Sequence, residues 1–208
     1  MFEVILRLDV DALDADRFVR PVFEAISDFE AFEPLDYDLN QKEQWRDFDL
    51  ERAIVDALTQ RTQLVRLRGS DRGSMAMIAM GKHGEEPTVV LRLDEELEPV
   101  EIVEGWPALF EKLPIKTAIL TSPSWRNAIA SAGIDWSDDS IPEAIACGWP
   151  EGREPVRVSE LAEKPADETP ISAEDRDGST ILMLAPKGRI EDPAHRDALS
   201  DLLRSYSP

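Results

Sequence analysis

Gln63-Leu64-Val65-Arg66-Leu67-Arg68, Ser74-Met75-Ala76-Met77-Ile78-Ala79-Met80-Gly81 and Thr88-Val89-Val90-Leu91-Arg92-Leu93 are three short apolar runs separated by turn residues. The separators, Gly69-Ser70-Asp71-Arg72-Gly73 and Lys82-His83-Gly84-Glu85-Glu86-Pro87, have the length and composition of hairpin connections. The stretch therefore predicts an antiparallel meander over about residues 63–93. Its alternating methionines suit a strand with one adaptable apolar face.

Working outward, Phe2, Val4, Leu6 and Leu8 alternate with Glu3, Ile5, Arg7 and Asp9, which is a strand with one core face. Phe18, Val22, Ile26 and Phe29 make a helical stripe behind a cap at Asp14 or Asp16, and Pro21 limits where that helix becomes regular. Residues 33–39 read as loop, and Asp49 to Gln60 as a second helix facing inward with Ile54, Ala57 and Leu58. A short helix near Trp106–Leu113 precedes a strand at Lys116–Thr121. Ser124 then caps a helix over Trp125–Ala132 that Gly133 ends. Residues 135–177, rich in proline and acid, read as a loop-rich segment; a strand over 178–185 and a helix opened by Asp192-Pro193 follow. The expected architecture is one α+β domain over 1–208, a mixed sheet with the meander at its centre, flanking helices, and a C-terminal strand and helix.

The charge is lopsided: 43 acidic against 23 basic side chains leave a formal net charge of −20 on 208 residues. A surface of that sign repels nucleic acid and anionic membrane and attracts basic partners. It also keeps a protein soluble without any further role. Acid dominates residues 1–60, 83–104 and 135–177, whereas 61–82 hold 1 acid and 5 bases. No apolar run is long enough to span a membrane, no signal peptide is evident, and the single cysteine, Cys147, fits a reducing cytoplasm.

Motifs for catalysis are missing. Only His83 and His195 could serve as neutral-pH bases, and both are expected at solvent-exposed turns or helix ends. Cys147 lies among acids, where a reactive thiolate is disfavoured. There is no phosphate-binding glycine motif and no zinc spacing. The aspartate series from Asp9 fails an EF-hand register, which would place Arg20 at the last ligand position. No cofactor or metal site is expected.

Acidic runs holding aromatics are the candidate partner-binding residues: Asp36, Tyr37 and Asp38; Glu95 and Glu96; Asp135, Trp136, Asp138 and Asp139; and Trp149. An aromatic there fills a pocket while carboxylates meet a basic rim. For any one tryptophan, a core position beneath a solvated loop is the competing explanation.

Cys147-Gly148-Trp149, Pro155-Val156-Arg157, the run Gly178 to Leu184, and Asp192-Pro193-Ala194-His195-Arg196 with its leucine-rich helix resemble the immunity proteins of bacterial polymorphic toxin systems, in particular immunity protein family 52. The resemblance covers about a third of the chain. It implies a cytoplasmic α+β protein without catalytic residues, whose partner is a toxin of restriction-endonuclease type delivered by a secretion system, type VI among them. Trp149 is the family tryptophan it carries over. The expected function is thus non-enzymatic neutralisation of a cognate basic toxin of nuclease type, with homo-oligomerisation compatible. A carboxylate-based hydrolase and an adaptor or structural subunit are the competing classes.

Overall fold

The computed structural model describes residues 1–9, 15–60, 62–70, 73–80, 86–94, 96–134, 136, 141–162, 171–185 and 192–204. The expected His83 turn and the Asp14 cap lie outside them. The elements in chain order are β1 (Phe2–Leu8), α1 (Ala15–Ser27), β2 (Pro34–Leu39), β3 (Arg46–Asp47), α2 (Leu50–Thr59), β4 (Leu64–Gly69), β5 (Met75–Ala79), β6 (Thr88–Leu93), α3 (Pro99–Glu104) and α4 (Trp106–Lys112). They continue with β7 (Ile115–Thr121), α5 (Pro123–Ala132), β8 (Ala146–Pro150), α6 (Val156–Ala162), β9 (Ser172–Arg176), β10 (Ser179–Met183) and α7 (Pro193–Arg204).

All ten strands join one sheet in the order β3-β2-β4-β5-β6-β1-β7-β8-β10-β9, and every pairing is antiparallel. The meander is present as read. The expected mixed sheet is not: α3 and α4 do connect two strands of like direction, β6 and β7, but β1 lies between them and pairs antiparallel with both. In the same way β10 separates β8 from β9.

Four local expectations also change. Residues 34–39 form a strand rather than a loop, held between β3 and β4. The helix of the Phe18–Phe29 stripe runs from Ala15 straight through Pro21. Ser122, not Ser124, caps α5, accepting the Trp125 N–H at 3.1 Å, and Gly133 ends it in the left-handed conformation as expected. The segment read as loop-rich holds β8, α6 and β9.

Burial separates the sheet into two halves. In β1, β4, β5 and β6 alternate residues are fully buried, among them Val4, Leu6, Val65, Leu67, Ala76, Ile78, Val89 and Leu91, while their neighbours are half-exposed or exposed. Period-two burial of this kind marks a sheet covered on one face. The apolar stripes of α1 (Phe18, Val22, Ile26) and α2 (Ala53, Ile54, Ala57) join that buried set in one core. In β8 and β10 residues of both parities are buried, so this half is covered on both faces. His195 of α7 takes part there, its Nε2 lying 2.5 Å from the Leu184 carbonyl oxygen; it is buried, contrary to the exposed position expected of it, because α7 packs over the end of β10.

The two sheet edges differ from the interior. β3 has two residues, and β9 reads Ser-Ala-Glu-Asp-Arg, so neither offers a long apolar edge. On the helix-covered face Gly148 of β8 meets the Trp106 ring: a Cβ there would lie 2.9 Å from Trp106 Cε3 and 3.1 Å from Phe110 Cζ. The glycine is what lets this buried indole approach the strand so closely. Gly148→Ala is expected to lower the unfolding free energy by about 1–3 kcal/mol through overpacking. Trp106→Phe should restore part of that loss, because the buried Trp106 indole N–H has no hydrogen-bond partner among the described residues to forfeit. Urea unfolding of the single and double variants measures both effects.

Candidate partner-binding site

The residues expected to face a partner are distributed differently from their expected pattern. Tyr37 is fully buried on the helix-covered face, opposite Leu67, and its hydroxyl donates to Asp56 Oδ2 at 2.6 Å. Asp38, also buried, accepts from Arg66 and from the Gln44 N–H at 3.1 Å. Trp149 is buried within β8. Strand alternation and two-sided coverage draw these three inward, so none presents a side chain to a partner. Asp36 is half-buried and faces Arg68 at 3.8 Å. Trp136 is half-buried, with its indole N–H donating to the Ile141 carbonyl at 2.8 Å, and Glu96 is exposed. Glu95, Asp135, Asp138 and Asp139 lie outside the described residues.

Two pieces of surface stand out instead. The first is a groove of about 390 Å³ between the C-terminal end of α1 and the α3–α4 pair. Its floor is the buried Phe29 and Leu109. Gly105, between the two helices, permits the close approach, since a Cβ there would lie 2.7 Å from the Phe29 ring. Asp28, Glu30, Glu101 and Glu104 stand exposed around it with one cation, Lys112, whose Nζ is 2.8 Å from Asp28. Glu101 is partly engaged, accepting the Glu98 N–H at 2.8 Å in the capping box of α3. Glu30 and Glu104 have no hydrogen-bond or ion-pair partner among the described residues.

The second is the uncovered face of β4, β5, β6 and β1. Register places Arg66 beside Met77, Val90 and Ile5 in one row, and Arg68 beside Met75, Arg92 and Glu3 in the next. Trp45, from the loop joining β2 to β3, lies over the arginines, 4.0 Å from the Arg68 guanidinium carbon and 5.2 Å from that of Arg66. Holding it there is costly. Asn40, Gln41 and Glu43 all have φ near +56°, each a strained conformation worth on the order of 1 kcal/mol for a residue with a side chain. The buried Asp38 carboxylate fixes both Arg66 and the Gln44 N–H that precedes the tryptophan.

Asp38 beneath this platform and Asp56 on the opposite, helix-covered face are both held ionised. Burial pulls the Asp38 pKa up, but Arg66 and the backbone N–H groups of Gln44 and Glu43 outweigh it and leave the carboxyl below its usual range. Asp56 is held down by the Tyr37 hydroxyl and by Arg46, against partial burial. Both are charged acceptors at neutral pH, an arrangement for positioning arginine and tyrosine rather than for giving up protons. Cys147, fully buried, has its thiol pushed far up by desolvation, which disfavours the thiolate. Among the described residues no group of three or more histidine, cysteine and carboxylate side chains is arranged to hold a metal ion, and no helix is long and apolar enough to cross a membrane.

No family model matches the chain, and no curated protein matches it in sequence. Among solved structures it is similar to the Pseudomonas aeruginosa T6SS protein PA0821, a type VI secretion system protein, with a TM-score of 0.56 and 12% identity over 97% of this chain and 72% of that one. The likeness is one of fold. The duplicated taurocyamine kinase of Schistosoma mansoni aligns with a TM-score of 0.33 and 11% identity over 97% of this chain and 31% of that one, too low to carry any argument.

Because the Asp38 pKa is lowered in the folded state, its contribution to stability is complete above the unfolded carboxylate value, near 4, and is lost as pH falls through the folded one. Asp38→Asn should cost on the order of 2 kcal/mol at pH 7 by leaving Arg66 without its counter-charge. The gap between variant and wild type should narrow on acidification below pH 4, read by urea unfolding at several pH values; a gap independent of pH contradicts the assignment.

Proposed function

We propose that this chain is a non-enzymatic immunity protein. It binds and neutralises a cognate bacterial effector toxin, a nuclease delivered by a type VI secretion system, and does so in the cytoplasm. The observation that carries the reading is the groove between α1, α3 and α4, an apolar floor ringed by four carboxylates and a single lysine on a molecule of net charge −20. A nuclease presents basic side chains to phosphate, and a groove of this chemistry competes for them with charge and apolar contact together. Long-range attraction speeds encounter, and burial of the stems of lysine or arginine on Phe29 and Leu109 slows release.

Two further observations support it. The fold is similar to that of a type VI secretion system protein, and the C-terminal motifs resemble family 52, which points to toxins of restriction-endonuclease type.

The test is co-expression with the effector encoded beside the gene. Glu30→Lys with Glu104→Lys should abolish protection and weaken binding at least tenfold while leaving the unfolding midpoint unchanged, since neither glutamate has a partner among the described residues. Wild-type affinity should fall steeply as ionic strength rises. Full protection by the double variant, or affinity indifferent to salt, overturns the reading.

A further inference from the structure

The geometry points to a second docking surface, independent of the acidic groove: the uncovered face of β4, β5, β6 and β1 takes an apolar segment of a protein partner that carries acidic side chains along its flank.

Three features of the face carry this. Its centre is apolar and half-exposed, formed by Met75 and Met77 of β5, Val90 of β6 and Ile5 of β1, which register sets side by side. Methionine adapts to a partner's shape, and with tryptophan and arginine it is over-represented at protein interfaces. Around that centre stand Arg66, Arg68, Arg92 and Arg7, a local excess of positive charge on a strongly acidic molecule. Arg68 and Arg92 keep 46% and 41% of their side chains exposed. Their present partners are weakly or jointly engaged: Asp36 reaches Arg68 only at 3.8 Å, and Glu3 is shared between Arg92 and Arg126. Arg7 is exposed and has no ion pair among the described residues.

The third feature is the platform itself. Trp45 is stacked on two guanidiniums by a loop with three non-glycine residues at positive φ, anchored from below by the buried Asp38. Ring and guanidiniums are thereby fixed before any partner arrives, which removes ordering cost from binding. A fixed guanidinium with open donors selects carboxylate, and the adjacent indole and methionines select apolar side chains. A basic segment is excluded by the same arginines, so this face and the groove choose opposite charge.

The probes are two 18-residue helical peptides with the same leucine stripe, one flanked by glutamates and one by lysines, titrated into the isotope-labelled full chain while amide shifts are followed. The glutamate peptide should perturb residues 64–69, 75–79 and 88–93 saturably, and Arg68→Glu should weaken it at least tenfold. Trp45→Ala should weaken it as well, with shifts elsewhere in the spectrum unchanged to show that the variant is folded. No saturable perturbation of these strands, or equal perturbation by both peptides, overturns the inference. So does a doubled sedimenting mass without peptide that Arg68→Glu halves, which would give the face to a second copy of the chain. The groove reading is judged separately, by whether the lysine peptide perturbs residues 99–112, so either surface can fail alone.

Discussion

The position of β1 between β6 and β7 is the constraint on which the rest of the structure depends. The first strand of the chain hydrogen-bonds along its length to residues 88–93 on one side and to residues 115–121 on the other. Without it the meander half and the two-sided half of the sheet share no strand pairing. A strand paired between segments so distant in sequence costs loop-closure entropy before it returns any contact. Its fully buried side chains, Val4, Leu6 and Leu8, its unbroken register against β6 and a pairing with β7 that shifts only between Arg7 and Leu8 are what offset that cost. The direction of α3 and α4 follows from it too, since they must carry the chain over β1, and that crossing brings them against the end of α1 where the acidic groove forms.

A second division, between covered and uncovered sheet, accounts for the uneven charge along the sequence. The basic stretch at 61–82 contributes Arg66 and Arg68 to the partly exposed sheet face of β1, β4, β5 and β6, while the acids of 28–30 and 101–104 gather at a helix junction. Net charge therefore describes neither surface. The molecule carries two regions of opposite sign, each with its own apolar centre.

Much of this was legible in the sequence, and the parts that were not share a cause. The meander, β1, the stripes of α1 and α2, the turn that ends α5 and the Asp192-Pro193 start of α7 each announce themselves by local periodicity or by a capping residue. β8, Ala-Cys-Gly-Trp-Pro, has neither. It is a strand because β7 and β10 supply partners on both sides, and its glycine is kept for the ring of Trp106, far away in sequence. β2 misleads in the opposite way. Asp36-Tyr37-Asp38 looks like an aromatic offered to a partner among charges, yet period-two alternation sends Tyr37 to the core, and its flanking aspartates serve arginines on the next strand. Trp45 had a signal that could have been used. It stands alone in Asn40-Gln41-Lys42-Glu43-Gln44-Trp45-Arg46, with no apolar neighbour of its own to pack on, so its ring had to rest on something from elsewhere.

The outer strand β9 has a consequence for how long the protein survives intact. It is the charged cover of β10, whose Ser-Thr-Ile-Leu-Met run is buried along its whole length. Cleavage that released residues 172–176 would bare unsatisfied amides along a strand that carries the apolar run Ile181-Leu182-Met183, the kind of edge on which fibrils grow. Nicking at that margin would therefore do more than trim the molecule: it would turn a dispersed polypeptide into a seed for precipitation.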